Sequence, residues 1–87
     1  MTVQELNQEL IIRLKGDELG FFGPGFETVN SSVFVDGTVY PAILLVPNVQ
    51  SKEAISRWRD RLIDHHFLFT EHNLGTDKRF CFKIFDI

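Results

Sequence analysis

Residues Ser31 to Pro47, SSVFVDGTVYPAILLVP, restrict the possible folds more than any other stretch of the chain. Asp36-Gly37 separates two runs rich in β-branched and aromatic residues, and this dipeptide readily takes the positive φ angles of a two-residue hairpin turn. The second run, Ala42 to Val46, is apolar at every position, which suits a strand covered on both sides better than one with a wet side. The pattern predicts a hairpin at the centre of a sheet, with Val33 and Val35 on one side of their strand and Phe34 on the other. Pro41 has no N–H for a ladder, so it marks a strand start, a bulge or a locally unpaired position. Glu27 to Asn30 is read as a short strand or the approach to the hairpin.

Two helices frame this hairpin. Thr2-Val3-Gln4-Glu5 has the form of a capping box, and Val3, Leu6, Leu10 and Leu14 then fall on one helical face. Glu9 and Arg13 form an i,i+4 pair on another face, and Gly16 is a natural stop, so the first helix is expected over about residues 3 to 15. Ser51 caps a second helix, with Glu53 in its first turn and Ala54, Ile55, Trp58 and Leu62 as its buried stripe. That helix is expected to end near His65-His66. Beyond it, Phe67 and Phe69 alternate with Leu68 and Thr70, Leu74 to Asp77 supplies a turn, and Phe80, Phe82 and Ile84 alternate with Arg79, Cys81 and Lys83.

The order is therefore α-β-β-α-β-β in a single small α+β domain spanning residues 1–87. A two-layer sandwich follows, with an antiparallel or mixed four-stranded sheet and two helices on one face. The order equals a ferredoxin-like βαββαβ chain with its first strand moved to the end, which makes the strands at about 39–46 and 79–86 central. No stretch matches a family motif. As a class, the arrangement is similar to small bacterial or phage accessory proteins such as inhibitors, immunity proteins and regulatory subunits.

Composition narrows the functional classes. Nine Lys and Arg against twelve Asp and Glu give a net charge of −3, which argues against nucleic acid as a partner, since such binding is dominated by cationic contacts to phosphate. The single cysteine excludes an intrachain disulfide and a multi-cysteine zinc site. The N-terminal residues lack the basic–apolar–small pattern of a secretory signal, and no apolar run approaches the ~18–20 residues that span a bilayer. The expectation is a soluble, cytoplasmic protein with no membrane partner and no cofactor.

Chemistry-bearing residues are few. His65, His66 and His72, with Asp64, Glu71 and Cys81 in sequence reach, are the best metal or catalytic set, but adjacent histidines diverge by about 100° on a helix and point to opposite sides of a strand. They suit a helix end and surface positions better than a zinc site, whose ligands must converge at roughly 2.0–2.3 Å. Cys81 lies within a regular strand, where a buried structural thiol is expected rather than a nucleophile. GFFGPGF, Gly20 to Phe26, matches no phosphate-binding loop and is too rich in glycine and proline for a regular element. Nine of the residues are phenylalanine, too many for a thin core to hide. The sequence thus predicts a non-enzymatic protein-interaction module, a small regulator, inhibitor or accessory subunit, that presents Phe21, Phe22, Phe26 and Phe85 to another protein or to a second copy, with a homodimer expected. The alternatives are a nucleic-acid-binding domain using Arg57, Arg61 and aromatic residues, and a small His-based metal protein or enzyme.

Overall fold

The computed structural model describes residues 2–21 and 25–85, with the side chains of 15–21 left aside. Helix α1 (Val3–Phe21) precedes strands β1 (Phe26–Val35) and β2 (Thr38–Pro47). Helix α2 (Lys52–Asp64) then leads to β3 (Leu68–Leu74) and β4 (Arg79–Phe85). The four strands form one antiparallel sheet in the order β1-β2-β4-β3, so β2 and β4 are central, as the permuted βαββαβ order requires.

Local chemistry accounts for the ends of these elements. The capping box forms as expected: Thr2 Oγ1 accepts from the Glu5 N–H and Glu5 Oε1 accepts from the Thr2 N–H, both at 3.2 Å. The Thr2 N–H donated to it, with the Thr2 hydroxyl beside it, holds the exposed Glu5 carboxyl below its ordinary range. Ser51 Oγ caps α2 by accepting from the Ala54 N–H at 3.1 Å, and His65 closes the helix as C-cap. Asp36 and Gly37 have φ of 49° and 82°, the two positive values of a type I′ turn. Val35 and Thr38 therefore bracket the turn as a hydrogen-bonded pair, and the register runs unbroken to Phe26↔Pro47.

Two expectations need correction. Helix α1 does not stop at Gly16 but continues to Phe21. A glycine inside a helix costs only about 1 kcal/mol relative to alanine, and the first proline lies beyond the helix, at Pro24. The segment from Gly20 to Phe26 is consequently not free of regular structure, because Gly20 and Phe21 end α1 and Phe26 opens β1. Of the two readings of Glu27 to Asn30 the strand holds, and it is longer than expected: β1 runs unbroken through Asn30-Ser31-Ser32, since the turn imposes register on a stretch with little strand propensity of its own. Pro41 lies inside β2, opposite Ser32 of β1, one position before the Ala42↔Phe85 rung to β4, so it is neither a strand start nor a bulge in the β1–β2 register.

The core is one cluster. Leu6, Leu10 and Leu14 of α1 and Trp58 and Leu62 of α2 meet Ile43 and Leu45 of β2 and Phe82 and Ile84 of β4. Ile43↔Ile84 and Leu45↔Phe82 are directly opposed pairs, so these four side chains lie on the same side of the sheet. Phe26 joins by standing edge-on to Trp58 at 5.2 Å, and Phe69 and Phe80 do the same to Phe82 at 5.6 and 5.1 Å.

Candidate protein-interaction surface

Alternation sends the remaining side chains of the central strands to the reverse side of the sheet. Register places Leu44 between Val29 and Lys83, Lys83 between Leu44 and Thr70, and Phe85 between Ala42 and Leu68. Ala42 is fully buried beneath its larger neighbours, Leu44, Lys83 and Phe85 are half-buried, and Val29 and Leu68 are 49% and 55% exposed. The reverse side thus carries an apolar group, Val29, Leu44, Leu68 and Phe85, around the Lys83 ammonium, with the polar Ser31, Thr70 and His72 beside it. Neither register neighbour of Lys83 is acidic.

The phenylalanines expected at an interface are distributed unequally. Phe85 belongs to this patch. Phe26 faces the opposite way, half-buried against Trp58, and serves the core. The Phe21 side chain and all of Phe22 lie outside the described residues. One exposed aromatic was missed: Phe34, 71% exposed, stands opposite Val39, 64% exposed, at the outer end of the β1–β2 hairpin. The signal was the alternation that set Phe34 apart from Val33 and Val35.

The arginines of α2 are interleaved with carboxylates. Arg57, Asp60, Arg61 and Asp64 line a shallow depression of about 280 Å³, balancing two cations with two anions. Arg59, which the sequence reading gave no role, pairs with Glu71 on β3 through both Nε and Nη2, with the Nε bond at 2.8 Å. That carboxylate holds the Arg59 guanidinium more firmly protonated than usual. It also ties α2 to the outer strand. On α1, Arg13 forms an ion pair with Glu9, Nε to Oε1 3.9 Å, and its guanidinium lies 4.3 Å above the Phe67 ring.

The histidines do not converge. His65 closes α2 by donating its backbone N–H to the Arg61 carbonyl, with its ring 6.5 Å from that of Phe67. His66 takes a positive φ of 60° in the link to β3, and His72 Nε2 lies 2.6 Å from Thr70 Oγ1 on the reverse side of the sheet. Among the described residues no three His, Cys, Asp or Glu side chains are grouped to hold a metal ion. Cys81 is fully buried, and burial pushes its thiol up, away from the thiolate a nucleophile needs. Among the described residues no helix is long and apolar enough to cross a membrane. Comparison with known proteins finds no matching family model, no similar curated protein and no similar solved structure.

Proposed function

We propose that this domain is a non-enzymatic protein-interaction module, a small regulator, inhibitor or accessory subunit, that binds through the reverse side of its sheet. The observation that carries this reading is the patch of Val29, Leu44, Leu68 and Phe85 around Lys83. Apolar groups left in contact with water on a strand-borne surface gain free energy when a partner covers them, and a few large anchors usually supply most of the affinity. The partner that fits is a protein segment with apolar side chains and one carboxylate to meet Lys83, an ion pair that adds selectivity more than affinity. The polar groups elsewhere have structural duties: Ser51 and Glu5 cap helices, Arg59 and Glu71 tie helix to sheet, and His65 closes α2.

The test compares three immobilised proteins in lysate of the native cells: wild type, Leu68→Ser/Phe85→Ser, and Lys83→Glu. Both variants are first shown to be folded by circular dichroism. A partner retained by wild type and lost from both variants is the expected result. The same proteins captured by all three would refute the assignment of this surface. Binding of single-stranded DNA or RNA that weakens steeply with salt would replace it with the nucleic-acid reading.

A further inference from the structure

A second feature, independent of the reverse-side patch, lies along the outer edge of β1. The turn fixes which backbone groups face outward. Because Val35↔Thr38 is a hydrogen-bonded pair, the odd-numbered residues of β1 direct their N–H and C=O groups to β2. The bond from the Asn48 N–H to the Gly25 carbonyl, 3.0 Å, continues that parity past the strand end. Phe26, Thr28, Asn30, Ser32 and Phe34 therefore direct theirs away from the sheet. Among the described residues no strand lies beyond β1, and nothing hydrogen-bonds these outward groups.

Exposed edges in soluble proteins are normally blunted by short length, charge, proline or a bulge. Edge β3 follows the rule, being seven residues long, with Glu71 at an outward position tied to Arg59. Edge β1 does not. It is ten residues long, its register is unbroken, it contains no proline, and its only charged side chain is Glu27 near one end.

We infer that β1 pairs antiparallel with β1 of a second copy about a two-fold axis passing beside Asn30. An axis perpendicular to the sheet sets residue i opposite residue 60 − i. The strand is self-complementary in this register. Phe26 meets the partner copy's Phe34, Thr28 meets Ser32, and Asn30 meets its own equivalent, all on the core side of the sheet. On the reverse side Glu27 meets Val33 and Val29 meets Ser31, so no like charges oppose one another. Each of the five core-side rungs exchanges two bonds, so all ten outward N–H groups find carbonyls. Moving the axis to any other residue of β1 leaves some of them unpaired. The register also sets the exposed Phe34 ring opposite Phe26, which already touches Trp58. The product is a continuous eight-stranded sheet in the order β3-β4-β2-β1-β1-β2-β4-β3.

The test is light scattering after size exclusion across a range of concentrations, with circular dichroism to confirm folding. Wild type is expected at twice the 10.1 kDa chain mass. Asn30→Lys, which sets two ammonium groups face to face, and Ser32→Pro, which removes one outward N–H and leaves the ladder to β2 intact, are expected to be folded monomers. Asn73→Lys on the opposite edge, and Leu68→Ser/Phe85→Ser on the reverse side, should remain dimeric. The register is read by oxidation: Asn30→Cys should cross-link to its own equivalent, whereas Ser32→Cys, set opposite Thr28, should not. A monomeric wild type, a dimer that survives both edge variants, or cross-linking through position 32 but not 30 would overturn the inference. Loss of the dimer in the reverse-side variant alone would assign self-association to that surface instead.

Discussion

The Gln50 side chain completes the backbone of Phe80. Gln50 Nε2 donates to the Phe80 carbonyl at 3.1 Å and to the Pro47 carbonyl at 2.7 Å, and the Phe80 N–H donates to Gln50 Oε1 at 2.7 Å. The β2–β4 register, extended past the Leu45↔Phe82 rung, would set Pro47 opposite Phe80. Proline has no N–H to give, so a carboxamide three residues on supplies the missing donor and an acceptor besides. Gln50→Ala should lower stability by about 1–2 kcal/mol, since the bonds are partly exposed. Denaturant unfolding measures this. Amide exchange adds a local readout: the Phe80 N–H should exchange faster in the variant while the Ile84 N–H is unchanged, and equal protection of Phe80 in both proteins would contradict the role.

Leu10 has no exposed surface and joins α1 to the central strands. Leu10→Ala should cost roughly 2–5 kcal/mol in urea unfolding, the loss of a buried side chain plus the void it leaves. A change below about 0.5 kcal/mol, typical of surface sites, would place the helix face wrongly.

Gly37 turns at φ 82°, and a Cβ added there would meet nothing within 4 Å. Any penalty for alanine is therefore one of backbone conformation, roughly 1–2 kcal/mol for an L-residue in the left-handed region. Asp36→Ala/Gly37→Ala should lower the melting temperature, whereas Gly37→Asn should keep most of it, because asparagine tolerates that conformation better. Equal melting of both variants with wild type would show that the turn does not set the hairpin.

Burial of Cys81 makes a statement about pH. Its thiol ionises above the ordinary thiol range in the folded state, so as pH rises the unfolded chain loses its proton first. Both states are protonated near neutrality and there is no effect there. Above the ordinary thiol range stability should fall with increasing pH, and Cys81→Ala should flatten that limb. The same burial predicts slow alkylation by iodoacetamide in buffer and fast alkylation in denaturant. Rapid labelling of the folded protein would contradict it.

What the residues revealed in advance was mostly local. The Ser51 cap, the Thr2–Glu5 box and the Asp36-Gly37 turn each depend on chemistry within a few positions, and each forms. The central place of β2 was legible because Ala42 to Val46 has no polar position. The run past Gly16 was not legible, since propensity is a weak local preference that neighbouring contacts override. Neither was the direction of Phe26, because glycine and proline neighbours say nothing about whether a ring turns to Trp58 or to water. The Gln50–Phe80 and Arg59–Glu71 bonds link distant positions and become visible only once strand order is known. Of the interaction surface, Phe85 could be read from strand parity, while Leu44, Lys83 and Val29 needed the register to be brought together.

The strand order has a kinetic consequence. Within the sheet, β1–β2 and β3–β4 are hairpins whose partners are close along the chain, and among the described residues it is the Ala42–Leu45 and Phe82–Phe85 rungs that join one helix-hairpin half to the other. Closing that seam demands the longest loop and carries the largest entropic barrier, so it belongs in the transition state for folding. Ile43→Val and Ile84→Val should slow folding in stopped-flow measurements, and Val33→Ala, at the far end of the first hairpin, should act mainly on the unfolding rate. β4, made after both edge strands, is thus a central one. On the ribosome the sheet stays in two pieces until β4 has been synthesised, and β2 waits throughout with one edge open.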